Sequence, residues 1–227
     1  MNPTRDALQR VATHVLARSR YAAAGRFGLR STPGGFGTPA FGDAVEILRV
    51  SGDGLVRERE GRASTMPMNG ATLADLAAFA GADLTTAFDA GKDAPPVGDR
   101  HAPLTVDAAE AARLADWWHL GWRVLDTVIA AAADAMAIQL WPEHFDAGTS
   151  VAISEGDHCN LGVSPGDGFS DEPYLYLGPW SDQRPGDPAY WNASFGAVLH
   201  RDEVLATPDP FATGVDFFNR GLELLDR

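Results

Sequence analysis

Histidines and carboxylates gather in one stretch of the chain, residues 140–187. It holds nine carboxylates (Glu143, Asp146, Glu155, Asp157, Asp167, Asp171, Glu172, Asp182 and Asp187) against one base, Arg184, and so carries −8 of a formal net charge of −13. Two of the six histidines, His144 and His158, and the only cysteine, Cys159, lie there as well. In the run Leu140-Trp141-Pro142-Glu143-His144-Phe145-Asp146, His144 and Asp146 stand two apart, and on a strand continuing past Pro142 they project from one face. An imidazole beside a carboxylate suits acid–base work, with Glu143 as the neighbouring acid. The small spacer in Glu155-Gly156-Asp157-His158 would let His158 join His144 and Asp146 as ligands to a divalent metal such as Zn, Mn or Fe. No motif with established ligand spacing is present, so a capped turn is the plainer reading of each group. Cys159 would be a nucleophile only if an imidazole lowered its pKa; packing beside a strand is the simpler role.

Side chains suited to holding a ligand lie close by. Tyr174, Tyr176, Trp180, Tyr190 and Trp191 fall within eighteen residues, and such rings combine apolar area with a polar handle. Trp141 belongs with them. Arg26 and Arg30 would share one face of an extended strand, where two guanidinium groups bind a carboxylate or phosphate; alternatively they neutralise the carboxylates of 143–172. Residues 1–30 contain six arginines against Asp6 alone, a net +5. This basic arm is expected to meet the acidic stretch, with Arg26 or Arg30 facing Glu143, Asp146 or Glu172.

Several classes are excluded or disfavoured. With pI near 4.7, the chain lacks the clustered bases that nucleic acid or an anionic membrane would need. No Gly-x-Gly-x-x-Gly, Walker loop or Gly-x-Ser-x-Gly elbow occurs, so no nucleotide cofactor is indicated. One cysteine excludes an internal disulfide and any multi-cysteine zinc site. No apolar run reaches the length of a membrane span, and the amino-terminal residues lack a secretory h-region, so the expected compartment is the cytoplasm.

These groups must be positioned by helices and strands that the periodicity outlines. Asn2 and Pro3 open a helix to about Ala17, followed by extended chain over 21–31. Residues 45–50 and 55–60 read as a hairpin around Ser51-Gly52-Asp53-Gly54. Thr72 and Asp75 make a capping box for a short helix, and 91–103, with three prolines and two glycines, is the best linker. The longest helix spans about 107–133, with Leu114, Trp118, Gly121, Leu125, Val128 and Ala132 on one stripe and His119 on the other side. Strands are expected at 137–141, 150–154, 174–177 and 194–199, and a closing helix at Pro210 with Phe211, Val215, Phe218, Leu222 and Leu225 inside. Strands clustered between helices predict an α+β fold, a mainly antiparallel sheet packed with a long central helix and amino- and carboxy-terminal helices. Residues 1–227 read as a single domain, with a two-lobe division near residue 100 as the alternative.

The run 140–146, with Ser164-Pro165-Gly166-Asp167, Glu172-Pro173-Tyr174-Leu175-Tyr176-Leu177-Gly178-Pro179-Trp180 and Arg26-Phe27-Gly28-Leu29-Arg30-Ser31-Thr32-Pro33-Gly34-Gly35-Phe36-Gly37, resembles a family of uncharacterised actinobacterial proteins. More distantly it is similar to a broader bacterial domain family of unknown function. The resemblance covers most of the chain and implies one natural globular unit, without an activity. The residues themselves point to a cytoplasmic small-molecule enzyme or ligand-binding protein, with an acidic, aromatic-lined pocket around 140–180 whose expected partner is a small molecule, anionic if Arg26 or Arg30 meets it, and neither nucleic acid nor membrane. The rival reading is an acidic interaction or inhibitor protein that covers a basic protein partner.

Overall fold

The computed structural model describes residues 2–132, 134–153 and 156–226. The fold is α+β with antiparallel sheet throughout. The chain gathers into two compact units, Met1–His119 with Leu140–Phe145, and Leu120–Gln139 with Asp146–Arg227. The division falls inside the longest helix rather than near residue 100, and the 91–103 stretch belongs to the first unit.

The first unit begins with α1 (Pro3–Val11), capped by Asn2, whose side chain accepts the Arg5 N–H. The helix does not stop near Ala17. It passes through a π-helical segment (Ala12–Ala17) into α2 (Arg18–Ala24), because Tyr21-Ala22-Ala23-Ala24 favours helix until Gly25 turns left-handed at φ 65°. A meander then forms sheet order β1-β2-β3-β4-β5, from β1 (Arg30–Thr32), β2 (Gly35–Gly37), β3 (Ile47–Ser51), β4 (Gly54–Arg59) and β5 (Arg62–Pro67). The expected hairpin is there, pairing Ser51 with Gly54, but it starts at Ile47 because Val45 sits in a turn at φ 50°. The Thr72–Asp75 capping box opens α3 (Leu73–Ala80). Phe36, Trp118 and Phe145 form the centre of the core, with ring centroids 4.7–5.5 Å apart.

α4 (Ala108–Ile129) runs from the first unit into the second. The Asp107 side chain accepts the Glu110 N–H and caps its start. His119 is exposed and Trp118 buried, as the periodicity requires. The chain returns to the first unit within β6 (Gln139–Trp141), where Leu140 bridges to Leu29.

The second unit is built on β7 (Asp146–Ala152), β8 (His158–Ser164), β9 (Tyr174–Pro179) and β10 (Ala197–His200), in order β10-β9-β8-β7. Of the expected elements here, the end of the long helix at Ala133, the strand end at Ser154 and the turn residue Glu155 lie outside the described residues. Cys159, Leu161, Val163, Leu175 and Leu177 make the buried side of β8 and β9. Gly121 lets α4 approach this side closely, since a methyl group there would meet Val163 at 2.3 Å. After α5 (Arg201–Leu205), α6 (Pro210–Leu225) starts behind Asp209, whose carboxylate accepts the Ala212 N–H, and Phe218 is buried from it.

Candidate functional site

The run 140–146 does not form one continuous strand. After Trp141 the chain turns, the Phe145 N–H donates to the Trp141 carbonyl at 2.7 Å, and Phe145 takes a left-handed conformation at φ 61°. A large aromatic residue adopts that backbone only where packing repays it, and here its ring fills the core against Trp118. The two-residue periodicity that would align His144 with Asp146 is therefore broken. His144 stays in the first unit, half-exposed, with Nε2 3.9 Å from Asp93. Glu143 uses its backbone carbonyl to accept from Gln9 at 2.9 Å, and its side chain packs near Gly91. The expected acid–base set of His144, Asp146 and Glu143 is not assembled.

Asp146 begins β7 of the second unit, buried, and accepts the hydroxyl of Tyr176. Two glycines on neighbouring strands make that reach available. A methyl at Gly162 would lie 2.2 Å from Tyr176 Cζ, and one at Gly148 3.1 Å from its Oη, so the ring lies across the sheet to the carboxylate. One residue pair along, Tyr174 donates to Asp167 at 2.6 Å, and Ser164 donates to the same oxygen at 3.3 Å. Burial, then the neighbouring Asp146, raises the Tyr176 pKa; burial and the bond to Asp167 do the same for Tyr174. Both phenols are thus proton donors to carboxylates, not bases.

This side of the sheet carries an aromatic row. Phe169 packs edge-on to Tyr174 and Phe195, and Phe195 edge-on to Tyr176. Toward the other end, Trp180 stacks on His158 at 4.8 Å and donates to Asn160 at 2.9 Å. Trp180 is 63% exposed, Phe169 49% and Phe195 36%. Tyr174, Tyr176 and Trp180 share this side of the sheet, whereas Tyr190 donates to the Phe217 carbonyl of α6 and Trp191 to the Pro185 carbonyl. Trp141, Arg26 and Arg30 belong to the first unit.

The metal set of His144, Asp146 and His158 is corrected too. His144 is engaged with Asp93, Asp146 with Tyr176 and His158 with Trp180, and among the described residues no three His, Cys, Asp or Glu side chains gather to hold an ion. Cys159 is buried, which pushes its thiol up to about 12 and removes it as a nucleophile at neutral pH.

The basic amino-terminal arm finds carbonyls instead of carboxylates. Arg26 and Arg30 are exposed, and among the described residues neither side chain forms a hydrogen bond or ion pair. Arg26 precedes the first sheet and only Arg30 lies on a strand, as the first residue of β1, so the two do not share a strand face. Further in, Arg10, His14 and Arg18 recur every four residues and hold the 83–99 loop by its backbone. Arg10 donates to Val97 and Asp99 at 2.6 and 3.0 Å, His14 Nε2 bonds Pro95 at 2.8 Å, and Arg18 Nη1 donates to Asp83 and Thr86 at 3.1 and 2.6 Å. Since a carbonyl only accepts, His14 carries its proton on Nε2 in the neutral form. Burial lowers the His14 pKa; the Pro95 bond opposes this and the charges of Arg18 and Arg10 reinforce it. The stretch that reads as a linker is in this way tied to the first helix.

Where this loop meets α2, β4 and the end of α3, the first unit has a pocket of about 510 Å³. Arg18, Arg57, Tyr21, Phe41, Glu46 and Phe88 are the principal lining groups, with small alanines between them. The Arg18 guanidinium stands over the Phe88 ring at 5.1 Å. Arg57 is paired with Glu46 at 2.8 Å and donates to the Phe79 carbonyl at 2.8 Å. Tyr21, Phe88, Phe27 and Trp141 form a chain of rings 5.4–6.4 Å apart, so Trp141 supports this pocket from behind without lining it. A volume of this size is within the range of small-molecule sites, and apolar walls with few polar groups are their usual make-up. The signal available in sequence was the four-residue recurrence of Arg10, His14 and Arg18. Arg57 and Phe88 carried no local signal, because only the folded chain brings them to α2.

Comparison with protein-family models, curated proteins and solved structures finds no match.

Proposed function

We propose that the protein is a binding protein for a small organic molecule, seated in the first unit's pocket between α2, β4 and the 83–88 loop. The observation that carries this reading is the pocket itself: about 510 Å³, lined by Arg18, Arg57, Tyr21 and Phe88. It replaces the acidic pocket expected around 140–180, whose acid–base residues do not assemble. The lone cysteine, buried as a thiol, is compatible with work in the cytoplasm, and among the described residues no helix is long and apolar enough to cross a membrane. A ligand-observed NMR screen of small aromatic and aliphatic compounds tests the reading. Hits are expected with the unaltered protein and should vanish with Ala22→Trp, which fills the pocket from an exposed helix position. A hit list unchanged by Ala22→Trp would count against it.

A second reading is favoured by one observation: Trp180, Phe169 and Phe195 are exposed on the unit that holds sixteen of the thirty-one acids. Exposed aromatic rings among carboxylates suit a basic protein segment, by apolar contact and cation–π attraction. A lysine- and arginine-rich peptide should then bind in a salt-sensitive way and lose affinity with Trp180→Ala. Binding that ignored both salt and that substitution would dismiss this face.

A further inference from the structure

Taking the first unit's pocket as the ligand site, on which this inference rests, we propose that its ligand is a planar monoanion, an aromatic carboxylate, whose charge is met by Arg18. The three arginines in the wall differ, and Arg59 is half-exposed with Glu60 at 3.9 Å. Arg57 is neutralised by Glu46, with Nε to Oε1 at 2.8 Å and Nη2 to Oε2 at 3.4 Å. Arg18 is only 7% exposed, yet among the described residues no carboxylate lies within ion-pair distance of it. Its hydrogen bonds, both from Nη1, go to backbone carbonyls, and its Nε–H is buried without a partner. The nearby Asp83 carboxylate is already engaged by the hydroxyls of Thr85 and Thr86 and the Thr85 N–H. Asp83 acts on Arg18 electrostatically without forming an ion pair with it, and a buried cation without a contacting counter-charge is costly unless something compensates it. Phe88 contributes part of that through its ring face. An anion in the pocket supplies the rest.

The same wall limits the kind of anion. Glu46 and Asp83 line the pocket with Arg18, Arg57 and Arg59, three positive charges against two negative, so the wall carries a formal excess of one positive charge. A single negative charge fits, and a carboxylate matches the planar fork of an arginine. The tilted Tyr21–Phe88 pair and the short side chains of Ala22, Ala80, Ala82 and Ala87 leave room for a flat ring, and the neutral polar groups of the lining are the hydroxyls of Ser19, Tyr21 and Thr86.

Titration calorimetry on the full chain with 2-naphthoate and its neutral isostere 2-naphthamide tests the proposal. Naphthoate should bind at least tenfold tighter than the amide, Arg18→Met should abolish that preference, and Ala22→Trp should abolish binding of both. Equal binding of acid and amide, with both lost in Ala22→Trp, would leave the pocket as the ligand site and overturn the anion. Binding that survives Ala22→Trp would overturn the pocket reading itself, and no binding of either probe at millimolar concentration would overturn both. Should Arg18→Met fail to fold, the acid-to-amide ratio on the unaltered protein decides the matter, with Arg18→Lys expected to keep part of the preference.

Discussion

The two units treat charge in opposite ways. The first contains thirteen basic and fifteen acidic residues, so it is nearly neutral, and it draws guanidinium groups inward: Arg5 and Arg18 are buried. The second has five basic against sixteen acidic residues, and the carboxylate it buries, Asp146, accepts a tyrosine hydroxyl. A buried cation held by carbonyls still lacks a contacting counter-charge, whereas a carboxylate held by a phenol has a donor suited to it. The difference explains why the acidic stretch draws attention in sequence while the concave, cation-bearing site is found in the unit with almost no net charge.

The sharpest way to break that comparison is to damage one core at a time. Trp118→Ala should destabilise the protein by about 3–5 kcal/mol, the usual cost of deleting a large buried aromatic, and Phe218→Ala should act at a similar level on the second unit. Hydrogen exchange should show protection lost first in β2 and β3 for Trp118→Ala, and in β8 and β9 for Phe218→Ala. Protection lost evenly along the chain in both variants would erase the distinction between the units.

Arg18→Met is expected to cost about 2 kcal/mol, because it leaves the Asp83 and Thr86 carbonyls without their charged donor. Limited proteolysis should then cut within 83–99 faster than in the parent. No change in that pattern would mean the arginines do not hold the loop.

A smaller effect separates the units by pH. The His14 pKa is lowered in the folded state, mainly by burial, so the unfolded chain binds the proton first. Stability due to this group is complete above the ordinary histidine value of about 6.5 and is lost as pH falls through that value toward the lowered one. His14→Gln keeps a donor for the Pro95 carbonyl and should flatten the fall in melting temperature between pH 7 and 5. An unaltered slope would show that His14 does not titrate in that window.

The smallest changes belong to the surface. Arg26→Met, Arg30→Met and Trp180→Ala should each shift stability by less than about 0.5 kcal/mol, as is usual for exposed side chains without partners in a network. A large loss for Arg26→Met in chemical denaturation would restore the expected pairing with the acidic stretch.

Local rules were legible along the chain. Asn2 and Asp209 cap the helices they precede, Thr72 and Asp75 close their box, Gly52-Asp53 turns the β3–β4 hairpin, and His119 and Trp118 take the outer and inner sides of α4. Each depends on residues within about four positions of one another, where side-chain chemistry and helical or strand period act directly. That Tyr174, Tyr176 and Trp180 lie on one side of the sheet was also readable, since they alternate along β9 and its end. Other features depended on tertiary structure. Phe145 is forced left-handed by its place in the core, and that turn separates His144 from Asp146 although they are two residues apart. Arg18, Arg57 and Phe88 are far apart in sequence, and no local pattern ties them together; the pocket they line exists because the 83–99 loop is drawn onto the first helix by Arg10, His14 and Arg18. Composition and spacing thus set the acidic character of the chain and many of its caps and turns, but not the strands at Arg62–Pro67 and His158–Ser164 or the continuation of the first helix to Ala24; the position of the pocket was decided by long-range packing, which a one-dimensional pattern does not encode.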